Sequence, residues 1–294
     1  MKRILLFVLT NLAIMVMLMT VLSVLGVTGY VTADGLDYSA LMAFSLVWGF
    51  GGAFISLAMS RWLAKMAMGV QLVNGRTGQS ELDWLYQTIE QLTRKAGLPM
   101  PEVGIYDSPE VNAFATGPSK KRSLVAVSSG LLRSMRREEV EGVLAHEVSH
   151  IQNGDMVTLT LIQGVVNAFS IFFSRVIANV IRQLVDERIS GIVFFVATIV
   201  FDIVFSILGM FVVAWFSRAR EFRADAGAAT LSSRENMIAA LQRLAANKGL
   251  VDNSQPQLAA MKIHGSKGGG LLALISTHPP LEARIAALER LQLR

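Results

Sequence analysis

The sequence predicts a mainly α-helical fold with a small β-sheet and about four transmembrane helices. Three observations lead to this class. Hydrophobic residues make up 52% of the 294 residues and charged residues only 17%, which is unusual for a chain that is soluble throughout. Several uncharged stretches are long enough to cross a hydrocarbon core of roughly 30 Å as helices. Short segments rich in β-branched residues lie between amphipathic helical segments and indicate strands.

The first two apolar segments are predicted to form a membrane hairpin. Residues 4–33 carry no charge, and neither do residues 38–60. The first segment is too long for the apolar part of a cleaved signal peptide and lacks a clear small-x-small cleavage motif. We therefore expect residues 1–60 to form an N-terminal transmembrane hairpin.

A second transmembrane hairpin is expected from residues 157–216. Residues 156–174 carry no charge before Arg175, and residues 189–217 are interrupted only by Asp202. Core helices of a soluble domain are the alternative, but the pair is too apolar for an exposed hairpin. An ionisable residue inside a span is costly, so Asp202 is expected to be a buried, paired or protonated structural carboxyl, with a place on a substrate path as the alternative.

Basic residues predict the orientation in the membrane. Lys and Arg follow the N terminus and the second and fourth spans, whereas the loop 27–40 contains two Asp and no basic residue. Segments 61–156 and 217–294 should therefore form one domain on the cytoplasmic side, although two Arg in the third loop argue mildly against it. The net charge of +5 suits contact with anionic lipid. No platform of aromatic and basic side chains for nucleic acid is visible.

Residues 146–150, His-Glu-Val-Ser-His, carry the strongest functional signal. Two histidines four apart face the same side of a helix, where both rings can bind one zinc ion. The carboxylate of Glu147 can take a proton from a water molecule whose pKa the ion lowers. We therefore expect a zinc hydrolase that attacks peptide bonds. The alternative is an amphipathic helix with two solvated histidines, but Ser134 as N-cap and Gly154 as C-terminal stop support a specific helix.

The third protein ligand must be histidine or a carboxylate, because the chain contains no cysteine. His264 and His278 remain as histidine candidates. The best carboxylate is Glu221, which shares a helix face with Asp225 four residues later. Such a pair suits one ligand and one carboxylate that orients a histidine ring, and spacing does not decide which is which. An exposed helix end with ordinary Glu–Arg pairs is the alternative.

The remaining soluble segments are predicted to form short elements. They comprise a helix opening at 80–83 and stopping at 97–99, strands at 102–106 and 123–128, a helix opening at 232–235, and a last helix after 278–280. Residues 248–270 are rich in Gly, Asn and Lys and are predicted to form a flexible loop. Their Gly run lacks the preceding strand and the Gly-Lys-Ser/Thr ending of a phosphate-binding loop.

Taken together, these motifs resemble the membrane zinc endopeptidases of the HtpX and CAAX-processing group. Residues 146–150 are followed, beyond the second hairpin, by Glu-Phe-x-Ala-Asp at 221–225. Asn-Ala-Phe-Ala-Thr-Gly at 112–117, Asn-Gly-Asp at 153–155 and Thr-His-Pro-Pro at 277–280 match the HtpX type in particular. The likeness spans nearly the whole chain and implies an α+β zincin-like metalloprotease domain.

The resemblance also implies roles for individual residues. His146, His150 and Glu221 would be the ligands of one Zn²⁺ per chain, and Glu147 the general base. Three further residues would lie near the metal: Asp225 as a partner of the ligands, His278 to stabilise the oxyanion, and Arg284 to fix the acidic residues. The edge that binds the substrate backbone would involve Asn112, Ala113, Phe114 and the strand around Val125.

The function implied by the resemblance is quality control at a bacterial inner membrane. Such an enzyme would cut misfolded or damaged membrane proteins, and other unfolded polypeptides, at cytoplasmic regions. A CAAX-type processing peptidase with one defined substrate is an alternative, but four spans are too few for a large lumenal chamber. A non-enzymatic membrane scaffold is a second alternative, against which the intact Glu147 and both motif histidines count. The sequence specifies neither the natural substrates nor the oligomeric state.

Overall fold

The computed structural model describes residues 2–27, 29–32, 35–246 and 276–292, with side chains from residue 12 onward. The chain divides into two compact units. The first, which we call the helical unit, contains Met1–Ser56 and Thr160–Val213. The second, which we call the mixed unit, contains Leu57–Leu159 and Ala214–Arg294.

The elements follow one another along the chain in an order dominated by helices. In sequence they are α1 (Lys2–Val24), β1 (Val31–Thr32), β2 (Gly35–Leu36), α2 (Tyr38–Met68), β3 (Gln71–Val73), α3 (Ser80–Lys95), β4 (Glu102–Tyr106), β5 (Ala113–Ser119), β6 (Arg122–Ser128), α4 (Ser129–Ser134), α5 (Arg137–Asn153), α6 (Asp155–Arg182), α7 (Glu187–Leu231), α8 (Arg234–Ala246) and α9 (Leu281–Glu289). This is the predicted class, mainly α with small sheets.

Helices α2, α6 and α7 are each long and apolar enough to cross a membrane. Within α1, Leu12–Val24 forms a shorter apolar helical segment among the residues whose side chains are described. The second, third and fourth predicted spans thus satisfy the length and composition that a bilayer requires. The first predicted span, in α1, stays a prediction. The fourth predicted span and the helix expected after it are one continuous helix, α7, because no proline interrupts residues 187–231.

The carboxylate of Asp202, on α7 in the helical unit, is paired. Its Oδ1 lies 2.6 Å from Nη1 of Arg175 and accepts a hydrogen bond from the hydroxyl of Ser174 at 2.5 Å. Both partners are on α6, so two opposite charges and a hydroxyl meet between adjacent helices. This arrangement is the paired structural carboxyl expected from the sequence, and it lowers the cost of carrying a charge within an apolar segment.

The mixed unit is built on a four-stranded sheet with the order β3-β4-β6-β5. Strands β4 and β6 are parallel, and the other neighbours are antiparallel. The predicted strands at 102–106 and 123–128 are confirmed. Strand β5 was not predicted, because Gly117 and Pro118 in its second half are typical of a loop. Gly117 has φ +142° where the β5–β6 register shifts, and a Cβ there would collide with the carbonyl of Arg122.

Helices α3, α5 and α8 pack with the sheet around one hydrophobic core. Fully buried members include Leu85 and Ile89 of α3, Leu144 of α5 and Leu241 of α8. Truncating one of them, as in Leu144→Ala, should cost about 2–5 kcal/mol because a cavity remains. This core holds α5 rigidly, which is what the residues of the 146–150 motif require of their helix.

Candidate metal centre

Helix α5 carries the 146–150 motif, as predicted, and both of its ends are fixed. It ends at Gly154, whose φ of +70° and backbone N–H bond to His150 form the predicted stop. Its N-cap is Arg136 rather than Ser134, which is the last residue of α4. The reason is a capping box, in which the carboxylate of Glu139 accepts the backbone N–H of Arg136 at 2.8 Å.

His146 and His150 meet Glu221, from α7, in one buried group. Nε2 of the two rings are 3.1 Å apart, and the Glu221 carboxylate lies 3.5 Å from Nε2 of His146 and 3.3 Å from Nε2 of His150. One ligand atom from each residue lies within 4.8 Å of the others, and the group is buried. Of the two carboxylates that the sequence left open, Glu221 is therefore the one that faces both rings.

The donor atoms of this group fit a single divalent cation. Both carboxylate oxygens of Glu221 are buried, and neither has an aligned hydrogen bond within the described part of the chain. Burial opposes ionisation, but His278, His146 and His150 hold the pKa of Glu221 well below its usual range. Two imidazole nitrogens and one carboxylate, with room for a fourth ligand, form the donor set of catalytic zinc sites.

The other ring nitrogen of each histidine, Nδ1, faces a carboxylate of its own. Nδ1 of His146 lies 2.9 Å from Asp225, and Nδ1 of His150 lies 2.6 Å from Asp155. A proton on each Nδ1 would leave the Nε2 lone pair facing the group of three. Burial disfavours the charged ring of His146, yet the hydrogen bond to Asp225 and the proximity of Glu221 raise its pKa to about 9.

Asp155 was not among the residues singled out from the sequence. It follows the Gly154 stop and begins α6, so its position resembles an ordinary helix start. The available signal was the Asn-Gly-Asp run at 153–155, which places a carboxylate just beyond the turn that ends the motif helix.

Arg284 and His278, far along the chain, come back to the group as expected. Arg284, on α9, is fully buried and donates from Nε and Nη2 to the carboxylate of Asp225, at 2.8 and 2.6 Å. Its Nη1 lies 3.5 Å from Glu221. Nδ1 of His278 lies 3.0 Å from the same Glu221 oxygen. His264, the other histidine candidate, lies outside the described residues.

Glu147 is buried beside these residues, with 5% of its surface exposed. No described side chain donates a hydrogen bond to its carboxylate, so the oxygens are free to take a proton. Burial lowers the pKa of Arg284, but the negative charges of Asp225, Glu221 and Glu147 more than offset this and raise it. A carboxylate of this kind, next to a metal-binding group, suits general-base chemistry.

Strand β5 carries residues that the sequence predicted to bind substrate, and its outer side is paired with no other strand among the described residues. Asn112 precedes this strand and donates from its amide to the hydroxyl of Tyr106 at 3.0 Å, while Ala113 and Phe114 begin the strand. Val125 differs from the expectation. It lies on β6, paired with β4 on one side and β5 on the other, and its side chain is fully buried. It can therefore support the edge but not contact a substrate backbone.

Comparisons with known proteins cover the same residues. Residues 79–292 match the sequence profile of Peptidase family M48. The chain is 54% identical to "Protease HtpX homolog" from Prosthecochloris aestuarii (strain DSM 271 / SK 413), over 98% of this chain and 99% of the relative. It is 52% identical to "Protease HtpX" from Thioalkalivibrio sulfidiphilus (strain HL-EbGR7), over 99% of this chain and the full length of the relative.

The fold is also similar to that of a solved structure. The "Crystal Structure of S. mikatae Ste24p" aligns with a TM-score of 0.58 at 19% identity, covering 84% of this chain and 58% of that chain. The family profile spans the whole distance from Asn112 to Arg284, and thus every described residue that meets at the buried group. The chain accordingly belongs to Peptidase family M48 and is a membrane metalloprotease of the kind its HtpX relatives represent.

Proposed function

We propose that this chain is a zinc-dependent endopeptidase of the bacterial inner membrane that cleaves misfolded or damaged membrane proteins at cytoplasmic regions. The observation that carries the proposal is the meeting of His146, His150 and Glu221 in one buried group, with the buried Glu147 as the next residue after His146 on the same helix. Metal-dependent hydrolysis of a peptide bond uses this combination of a metal-binding group and a carboxylate base. In this proposal the enzyme serves quality control under stress.

In this mechanism His146, His150 and Glu221 would hold a zinc ion. When bound, the ion supplies Lewis-acid chemistry, which makes water more acidic and polarises a peptide carbonyl. Glu147 takes the proton of the attacking water on its carboxylate and passes it to the departing amine. Asp225 holds the Nδ1 proton of His146, and Arg284 keeps Asp225 ionised by two charge-assisted hydrogen bonds.

The substrate would bind beside this group as an additional strand. The outer side of β5 offers backbone N–H and C=O groups that an extended peptide can pair with. The amide of Asn112 is fixed by Tyr106 at the start of that edge. The ring of His278, close to Glu221, would donate to the oxyanion that forms as the carbonyl is attacked.

The chain connectivity supports a substrate close to the bilayer. Helix α5 ends at Asn153, and the apolar helix α6 begins two residues later at Asp155. We propose transmembrane hairpins at 1–60 and 157–216, with segments 61–156 and 217–294 forming the catalytic domain on the cytoplasmic side. Cytoplasmic loops of other membrane proteins would then lie within reach.

The decisive test is Glu147→Gln. Glutamine keeps the size of the side chain but cannot accept the proton, so casein cleavage should fall by about 10²–10⁴-fold while the metal content stays at one per chain. Glu141→Gln is the matched control, because Glu141 lies on the same helix and its carboxylate accepts a hydrogen bond from Ser232 instead. A Glu147→Gln variant that digests casein at the rate of Glu141→Gln would refute the mechanism.

A substrate comparison tests the biological part of the proposal. Unfolded casein and a membrane protein with a destabilised cytoplasmic domain should both be cleaved by the purified enzyme. A prenylated C-terminal peptide should be cleaved poorly. Preference for the prenylated peptide over both unfolded substrates would instead indicate a processing peptidase, and metal binding without cleavage of any of them would indicate a scaffold.

A further inference from the structure

The carboxylate of Asp155 connects the start of an apolar helix to a residue of the metal centre. Asp155 is 1% exposed, and its Oδ2 lies 2.6 Å from Nδ1 of His150. The left-handed conformation of Gly154 ends α5, and the first residue of α6 then faces His150 in the last turn of α5. The contact is therefore built by local backbone geometry and needs no distant segment.

The arrangement at His150 parallels that at His146, with one physical difference. Asp225, the partner of His146, is held by the fully buried guanidinium of Arg284. The cation next to Asp155 is Arg223, whose Nη2 lies 3.4 Å from Oδ1 and whose side chain is 57% exposed. Such an exposed pair contributes little, because water screens it.

Asp155 lies where three features of the fold meet: a helix start, a histidine ring and an arginine. It is the acidic residue in the first turn of α6, where the helix dipole favours an anion. Its Oδ2 accepts from the His150 ring, and its Oδ1 faces Arg223. Asp155 is thus placed to accept the Nδ1–H of His150, and a carboxylate is a strong acceptor for an imidazole N–H.

We propose that Asp155 is a positioning residue for the metal centre, acting through His150. Its carboxylate holds the proton on Nδ1, so that Nε2 keeps its lone pair and faces Glu221. The first residue of α6 thereby sets the metal affinity of a ligand on α5. This inference rests on the proposed role of His150 as a ligand.

A purely structural role makes a different prediction. If Asp155 only starts α6, Asp155→Asn should leave zinc affinity unchanged, because losing the interaction with the helix dipole lowers stability slightly without affecting the metal ligands. If Asp155 positions His150, the loss of charge weakens the acceptor and lowers the basicity of the ring. Removing such a partner typically lowers metal affinity by about 10–100-fold.

The experiment measures zinc affinity on the full-length, metal-free protein in detergent, by competition with a chelating dye. Asp155→Asn should bind zinc about 10–100-fold more weakly than the unmodified chain. Glu141→Gln, the same chemical change at a carboxylate bonded to Ser232 on the same helix, should bind zinc normally. Arg223→Gln should also bind nearly normally, since it leaves the carboxylate and the ring in place.

Any one of three results would overturn the inference. The first is that Asp155→Asn binds zinc as tightly as Glu141→Gln, and the second is that Arg223→Gln weakens binding as much as Asp155→Asn. The third is that metal-free Asp155→Asn shows no folded state in a thermal melt. Each of these assigns Asp155 a structural role instead. Failure of the proposed function is distinguishable, because then the unmodified chain itself would bind no zinc.

Discussion

The buried guanidinium of Arg284 offers the sharpest test of how the metal centre is held together. The side chain is fully buried, and two of its N–H groups donate to Asp225 at 2.8 and 2.6 Å. Arg284→Met removes these bonds and the positive charge while nearly conserving volume. Each hydrogen bond to a charged group is worth about 1.5–3 kcal/mol. The sum for the two bonds is consistent with the loss of about 3–5 kcal/mol in the free energy of unfolding when one partner of a buried ion pair is removed.

The magnitude translates into a measurable change in thermal stability. A domain of this size loses about 2–4 °C in Tm per kcal/mol, so Arg284→Met should lower the Tm by roughly 6–20 °C. Differential scanning fluorimetry of the metal-free protein measures it. The Tm of Arg284→Lys should lie between those of Arg284→Met and the unmodified chain, because lysine keeps the charge but cannot make the bidentate contact.

The loss should also depend on pH, and its sign follows from Asp225. Burial raises the pKa of that carboxyl, but Arg284 and His146 more than offset it and lower the pKa below 3.8. A carboxyl with a lowered pKa in the folded state stabilises the protein above about pH 4 and loses that contribution as the pH falls further. The difference between Arg284→Met and the unmodified chain should therefore shrink toward low pH.

Arg290→Met is the control, because Arg290 is exposed at the end of α9. A surface change of this kind usually stays within about 0.5 kcal/mol. If Arg284→Met melts at the same temperature as Arg290→Met at pH 7, the ion pair does not hold the site together, and the reasoning fails.

Three further predictions concern the metal ligand, the motif helix and the membrane orientation. Glu221→Ala should retain little zinc after purification. Asp225→Ala should regain zinc in excess metal, because removing the partner of a ligand lowers metal affinity only about 10–100-fold. The reverse pattern in metal analysis would exchange their roles. Glu139→Gln should lower the stability of the metal-free protein by up to about 1 kcal/mol at pH 7, since glutamine can still accept the N–H of Arg136 but loses the charge that faces Arg136 and Arg243. Burial opposes the charge of Glu139, but bonds from the N-cap lower its pKa below 4.5, so the penalty should vanish in melts below that pH and would not do so if packing were the cause. A single cysteine in place of Thr32 should react with an impermeant maleimide from outside intact cells, and one in place of Arg76 should not. External labelling at position 76 would overturn the orientation.

Several features follow from the sequence alone because they depend on neighbours along the chain. Histidines four residues apart must share a helix face, so the pairing of His146 with His150 was predictable from spacing. A helix satisfies its backbone hydrogen bonds within one segment, so long uncharged segments predicted the helices α2, α6 and α7 without knowledge of their neighbours. The stop at Gly154 was likewise local, since it depends on the one residue type that adopts a positive φ at no cost.

The tertiary structure decided what depends on distance in space rather than along the chain. Glu221 and Asp225 have the same periodicity, and only the packing of α7 against α5 shows that Glu221 faces the Nε2 atoms while Asp225 faces Nδ1. The partner of His150 was missed for the same reason, because a carboxylate after a glycine turn looks like a helix start, and only the structure shows that it lies 2.6 Å from the ring. Periodicity fixes the direction of a side chain within its own helix, but it carries no information on which atoms of another segment will meet it.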